Sequence, residues 1–530
     1  MSCEVLELPS DAQEIVALLT EKDREIARLT RETERQQARL QALQEQFNLL
    51  IAKRFGRSSE KRSADQLWLF NEAEATAACD PEPEAVVSVP AHRRVRPGRK
   101  PLPAALPRIE VIHELPAEER ICTHDGEALV EIGEEISEQL DIVPAQVRVL
   151  RHVRKKYACP HCQLGVKTAP LPPQPLPKTM ASPGLLAHIA VAKYQDALPL
   201  HRQEHILKRI GLDLPRATLA AWMIKLGIWI QPLINLLQDV LLGYDVLQMD
   251  ETILQVLKEP AKLPQSNSYL WVRRGGPPDL PVILFDYDPS RSQAVPLRLL
   301  ESYRGYLQVD GYDGYNAVGL RSDIVLVGCM AHARRKFDEA VKAQGVDRDN
   351  PEKIGKAMEG LRYLQALYRI ERECKGSSSE ERYSVRQQKA KPLFETLRAW
   401  LDAALPTVAP QSMTGKALTY LHNQWPKLIR YLDDGRLSID NNRVENAIRP
   451  FVIGRRNWLF SDTARGAKSS ANLYSLIETA KANGLEPYAY LRHLFTELPK
   501  AQTLEQIERS CRFTPRRNSL RRHRLNNRWG

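Results

Sequence analysis

Three carboxylates stand where phosphoryl-transfer chemistry could use them: Asp250 in LQMDET, Asp310 in LQVDGYDGY and Glu445 in DNNRVENAIRP. Carboxylate oxygens are hard donors that suit Mg²⁺, and two ions held between such groups activate an attacking hydroxyl and stabilise the leaving oxygen. The expected metal set is therefore two Mg²⁺ ions on Asp250, Asp310 and Glu445, with Mn²⁺ as a substitute. The expected chemistry is cutting and joining of phosphodiester backbones. Spacing alone does not single these three out. The chain has 65 Asp and Glu residues, and Asp286, Asp288, Asp313 and Asp440 compete on the same grounds. An isolated Asp at a strand end also serves as a turn residue.

The elements around these residues narrow the choice. YDVLQMD, SYLWVRR and PVILFDYD read as three strands, followed by a helix through Gln293–Glu301, a fourth strand at GYLQVD and a fifth at DIVLVGCM. That order opens an RNase H-like α/β fold, in which the first and fourth strands are neighbours and Asp250 would lie beside Asp310. Ala331 to about Leu432 is helical in composition, with a Gly-Ser break at Lys375–Ser379. Glu445 then opens a helix after Asp440-Asn441-Asn442, which are good capping residues. His332, Arg334, Arg335 and Lys336 follow the fifth strand, and Arg443, Arg449, Arg455 and Arg456 flank Glu445. Such groups could position phosphates without reading sequence, or simply form solvated helix faces.

Upstream, Ile15, Leu19, Lys22, Ile26, Leu29, Thr33, Gln36, Leu40, Leu43, Phe47 and Leu50 alternate four and three apart, with no Pro or Gly between. This is a heptad seam, expected to drive self-association as a coiled coil; the competing reading is one amphipathic helix packed on its own protein. A linker follows, acidic over residues 72–84 and basic from Arg93 to Arg108. Within it Arg96, Arg99 and Lys100 resemble the short arms that enter a minor groove, though a solvated linker explains them too. Cys122-Thr-His124-Asp125 and Cys159-Pro-His-Cys162 form a pair of knuckles that could hold Zn²⁺ through Cys122, His124, Cys159 and Cys162. Asp125 stands where a second cysteine would complete the first knuckle, so a metal-free β-ribbon is the alternative. Two amphipathic runs around Gly211-Leu-Asp-Leu-Pro215 suggest a helix-turn-helix whose second helix opens at Arg216 and Thr218; core packing competes with DNA reading there.

Composition sets the frame. A chain of 530 residues exceeds one ordinary core, so several domains are expected. Hydrophobic and charged fractions of 43% and 27% are those of a globular protein. A net charge of +11 favours a polyanionic partner. No apolar run approaches the length of a bilayer span and no signal peptide opens the chain, so no membrane partner and a cytoplasmic location are expected.

Taken together, LQMDET, QVDGYDGY, GCMAHARRKF and DNNRVENAIRP resemble the signature blocks of the insertion-sequence-66 family of DDE transposases, in the family's order and across nearly the whole chain. The segment ending in FGRSSEK resembles that family's leucine zipper, and the Cys/His stretch its zinc-finger-like domain. The resemblance implies a catalytic triad of Asp250, Asp310 and Glu445 in an RNase H-like core interrupted by a helical insertion. It also implies action on the terminal inverted repeats of a mobile element, exposure of 3′-OH ends that attack target DNA, and small accessory proteins as partners. The expected layout is a coiled-coil segment (1–71), a disordered basic linker (72–115), a zinc-finger-like domain (116–175) and a helix-turn-helix-like region (176–240). The first part of the core (241–340), the helical insertion (341–436), the second part of the core with Glu445 (437–485) and a C-terminal segment with a basic tail (486–530) follow. From Ser510 the tail carries seven arginines and no acid, unlike the family's usual end. A catalytically silent DNA-binding repressor and a nuclease that never joins strands are the rival readings.

Overall fold

The computed structural model describes residues 12–55, 147–158, 166–344 and 355–510. The linker, the cysteine knuckles with Cys122, His124, Cys159 and Cys162, the arm with Arg96, Arg99 and Lys100, and the tail beyond Ser510 lie outside them. The chain divides into two compact units, residues 78–168 and the remainder. Of the smaller unit, the described part centres on an antiparallel hairpin, β1 (Lys156–Ala158) and β2 (Val166–Thr168).

The larger unit begins with α1 (Ala12–Phe55), a 44-residue helix free of Pro and Gly. Its seam residues Ile26, Leu29, Leu40, Leu43, Phe47 and Leu50 are exposed, while Glu45 is buried and accepts the Met413 N–H at 2.8 Å. One side of the helix therefore rests on this chain, and the heptad side faces outward. Four helices follow: α2 (Pro183–Tyr194), α3 (Leu200–Arg209), α4 (Arg216–Trp229) and α5 (Gln231–Leu242). The turn between α3 and α4 runs through Gly211, whose φ of +83° suits glycine. Leu219, Trp222, Met223 and Leu226 bury most of α4, leaving Arg216 exposed at its start. Among the described residues no single helix is long and apolar enough to cross a membrane.

The sheet comprises β3 (Val246–Lys258), β4 (Asn267–Gly275), β5 (Val282–Asp288), β6 (Gly305–Gln308) and β7 (Ile324–Val327), in spatial order β5-β4-β3-β6-β7. The first three pair antiparallel, while β6 and β7 run parallel to β3. The first and fourth strands are neighbours, as the sequence led us to expect. A short helix α6 (Ala294–Leu299) makes the crossover into β6, and α7 (Asn316–Gly319) precedes β7. Short β8 (Ser461–Thr463) extends β3 at Val256. The α14 helix (Ala464–Ala482) closes the β5 edge: Ser475 Oγ and Thr479 Oγ1, one turn apart, accept the Phe285 and Ile283 N–H groups. A sheet edge capped in this way offers no template for pairing with another chain.

Two hydrophobic cores result. One joins the sheet to α2, α4, α5, α14, α13 (Asn442–Trp458) and α15 (Pro487–Glu497). Gly227 of α4 lies so close to α14 that a Cβ there would meet the Ser469 backbone at 2.5 Å. The second core gathers α8 (Met330–Ala343), α9 (Lys356–Glu373), α11 (Lys391–Ala404) and α12 (Met413–Leu428) around Phe337, Leu364, Phe394, Leu397 and Leu418. Short helix α10 (Ser379–Val385) opens with a capping box in which Ser378 Oγ accepts the Glu381 N–H. A final helix, α16 (Leu504–Ser510), ends the described chain.

Candidate active site

Register places the two aspartates. Strand β3 pairs with β6 as Val246↔Tyr306, Leu247↔Leu307 and Gln248↔Gln308. Asp250 and Asp310 each stand two residues beyond the glutamine pair, so the two-residue period of a strand carries both to the same side. Asp250 Oδ1 accepts the Glu251 N–H at 2.8 Å and Asp310 Oδ1 accepts the Tyr312 N–H at 2.9 Å, which fixes the plane of each carboxylate.

Glu445 arrives from far along the chain, in the first turn of α13, and is buried. The glutamine pair anchors the segment that leads to it. Gln248 Nε2 donates to Gln308 Oε1 at 2.7 Å and to the Asp440 carbonyl at 3.1 Å, and Gln308 Nε2 donates to the Ser438 carbonyl at 2.7 Å. Asn441 Nδ2 donates to the Met249 carbonyl at 3.2 Å, and its backbone N–H points to Cys329 Sγ at 3.2 Å. Thus residues 438–441 are laced across the sheet one step below the aspartates. This corrects the capping role expected of Asn441, whose side chain makes no cap to α13. Its amide is committed to Met249 instead, and Asp440 Oδ1 takes the Asn442 N–H at 3.2 Å.

Among the described residues, Cys329, His332 and Glu445 form a set whose ligand atoms all lie within 4.8 Å, with His332 Nδ1 3.9 Å from Glu445 Oε1. A thiol and an imidazole suit softer ions than Mg²⁺, whereas Asp250 and Asp310 offer the hard oxygens that Mg²⁺ requires. The aspartates therefore supply the donor type that a hard divalent cation takes, while the ligand atoms of Glu445 lie beside those of Cys329 and His332.

Behind the aspartates sits a group that sequence reading missed. Glu251 is buried, accepts the Tyr315 hydroxyl at 2.6 Å and takes a two-pronged contact from Arg291 at 2.6 and 2.8 Å. Burial, then the charge of Asp310, pushes the Glu251 carboxyl up, while Tyr315 and Arg291 pull it back. The Tyr315 hydroxyl lies well above its ordinary range, through burial and then the charges of Glu251, Asp250 and Asp310. It therefore stays protonated and holds the DGYDGY turn to β3. Arg291 also stacks on Tyr312, 3.9 Å from the ring centre.

The expected basic residues scatter more widely. Arg334 and Arg335 lie half-buried on α8, Arg334 5.2 Å from the Tyr368 ring centre. Arg455 donates to the Ile253 carbonyl and ties α13 to β3; Arg449 is half-buried, and Arg443 and Arg456 are exposed. Arg216 belongs to α4, away from this sheet edge in sequence and in secondary structure. Arg274, not singled out in the sequence, pairs with Gln248 across β4 and donates to the Arg443 carbonyl at 2.9 Å. Arginine inside SYLWVRR was the only available signal, and nothing in that strand pattern marks which face it takes.

Comparison with known proteins identifies the family. Residues 178–469, more than half of the chain, match the model described as "Transposase IS66 family". Residues 119–163 match "zinc-finger binding domain of transposase IS66", 42–111 match "Transposase C of IS166 homeodomain" and 475–509 match "IS66 C-terminal element". Among relatives from Sinorhizobium fredii (strain NBRC 101917 / NGR234), y4jD is 37% identical over 77% of this chain and 80% of its own length. The protein y4hP is 31% identical over 84% and 83%, and y4qI 34% over 78% and 77%. With four family segments in order along one chain, this protein belongs to the IS66 family of transposases, DNA-binding enzymes of the transposase type.

Proposed function

We propose that the protein is a DDE transposase with an RNase H-like core, which binds the terminal inverted repeats of an insertion sequence and cuts and joins DNA with Asp250, Asp310 and Glu445. The observation that carries this is the shared register of Asp250 and Asp310 beside the laced segment 438–441 that leads into Glu445. When bound, two Mg²⁺ (or Mn²⁺) ions would supply charge neutralisation at the scissile phosphate and a nucleophilic oxygen. Asp250, Asp310 and Glu445 would hold them. The backbone N–H groups of Glu251 and Tyr312 keep both aspartate planes fixed, and Tyr315 with Glu251 keeps the Asp310 turn seated on β3. Pre-set carboxylates need no reorganisation as charge develops.

The exposed heptad face of α1 suits a second copy of the chain, which would bring two element ends together. Structural Zn²⁺ at the cysteine knuckles, small accessory proteins as partners and a cytoplasmic, nucleoid-associated site of action complete the reading. A strand-transfer assay tests it: purified protein, labelled DNA carrying the element's terminal repeats, and Mg²⁺ or Mn²⁺. Wild type should yield joined product, while Asp250→Asn, Asp310→Asn and Glu445→Gln each lose cleavage but retain DNA binding. Binding by the wild type without any cutting, with accessory proteins supplied, would favour a silent repressor; metal-dependent cutting by any of the three variants would overturn the triad.

A further inference from the structure

We propose that Arg274, Arg382 and Arg443 form a pocket for one backbone phosphate of the DNA, at the edge of the carboxylate site. The DNA substrate rests on the function proposed above; the placement of these arginines does not. They come from β4, α10 and α13, and so from the sheet, the helical insertion and the helix that carries Glu445. Antiparallel pairing sets Arg274 opposite Gln248 and therefore on the face that carries Asp250. Its Nη1 holds the Arg443 carbonyl, two residues before Glu445.

Helix α10 is fastened to the segment that leads towards α13 by Arg386, one turn beyond Arg382. Arg386 is fully buried, donates to the carbonyls of Tyr431, Asp434 and Leu437, and occupies both Glu371 oxygens at 2.8 Å. Glu371 is thus committed to Arg386. Among the described residues, none of Arg274, Arg382 and Arg443 has a carboxylate within 4.0 Å. Arg382 Nε is buried and has no hydrogen-bond partner.

The electrostatics agree. Burial and then the charge of Arg443 lower Arg274 to about 10, and burial, Arg386 and Arg443 lower Arg382. The Glu371 charge opposes the lowering of Arg382, but both Glu371 oxygens are bonded to Arg386, so the like charges are held together with little compensation. A buried donor without a partner and uncompensated charges are costly unless something is meant to meet them. The planar guanidinium fork matches phosphate oxygens in geometry and charge. Arg273, adjacent to Arg274 but facing the other way, is by contrast paired with Asp286 at 2.8 Å.

Salt-dependent binding tests the pocket. Full-length protein would be titrated with a short fluorescein-labelled duplex, in buffer without Mg²⁺, across a range of KCl. The comparison is wild type, Arg274→Ala, Arg382→Ala, the double variant and Arg398→Ala, an arginine paired with Asp402 on α11 that controls for lost charge. The slope of log affinity against log salt should fall by about 1 in the double variant, less in each single one, and not at all in the control. A double-variant slope equal to wild type overturns the proposal. Should Arg274→Ala fail to fold, Arg382→Ala decides alone, because its side chain supports none of the hydrogen bonds that fix α10. A lowered slope in the double variant, with a wild type that never cuts terminal-repeat DNA, would count against the transposase reading and leave the pocket standing; an unchanged slope with a wild type that cuts would do the reverse.

Discussion

Replacing Gln308 by Leu should unseat Glu445 without touching any carboxylate. Gln308 is fully buried, donates to the Ser438 carbonyl and accepts from Gln248, both at 2.7 Å. Leu fills similar volume but leaves the Ser438 carbonyl and one Gln248 N–H without partners. Each orphaned buried group costs about 1–3 kcal/mol, and apolar burial returns part of that, so a net loss of about 3 kcal/mol is expected. Gln248→Leu should cost about 1 kcal/mol less, because Gln248 Oε1 is already buried without a partner and its removal relieves that cost. The double variant removes both ends of one bond, so it should fall short of the summed single losses by at least about 1 kcal/mol. Urea denaturation of the four proteins measures the cycle. Because the bond to Ser438 lies three residues before Asn441, its loss frees the lead into α13, and a displacement of about 1 Å at Glu445 would slow DNA cleavage about a hundredfold. A Gln308→Leu protein with the expected stability loss but wild-type cleavage would refute the idea that this lacing positions Glu445. Strictly additive stability losses would refute the coupling itself.

Two further outcomes follow from other elements. Leu40→Lys with Leu43→Lys places charges on the exposed seam of α1, where each leucine would contribute about 1.5–3 kcal/mol if buried in a partner; sedimentation equilibrium should show the assembly fall to monomer while the melting temperature of the core stays unchanged, and an unaltered oligomer would rule out the seam. Tyr315→Phe strands a buried Glu251 oxygen, which should cost about 1–3 kcal/mol in denaturation and raise the Mg²⁺ concentration needed for half-maximal cleavage; an unchanged Mg²⁺ requirement would show that the Glu251–Tyr315 contact does not seat Asp310.

Much of the sheet was legible because its strands are short apolar runs bounded by turns. VILF in β5 is continuous, as expected of a strand covered on both faces, and the turn around Gly211 was marked by its glycine and by Pro215. The long apolar seam of α1, free of Pro and Gly, was equally plain from heptad spacing. Other features left no such trace. Short β8 is Ser-Asp-Thr, with no apolar pattern, and exists because it continues the β3 ladder. The role of Asn441 was misread because a side-chain amide beside a helix start looks like a cap until a competing carbonyl, that of Met249, comes within reach. Glu251 passed as the bland neighbour of Asp250, although its burial and its bond to Tyr315 make it part of the site's support.

The sequence by itself determined the elements and their order: a heptad helix, a strand-rich stretch holding Asp250 and Asp310, a helical stretch, and Glu445 at a helix start. These depend on local periodicity and on turn chemistry, which act between near neighbours in the chain. Only the tertiary structure decided which distant groups meet. The β3–β6 register set the two aspartates abreast, the Gln248–Gln308 pair tied residues 438 and 440 to the sheet, and Arg274 of β4 reached the Arg443 carbonyl of α13. Strand register and buried hydrogen bonds are fixed by contacts across some sixty to two hundred residues of chain, and no local pattern encodes where such contacts close.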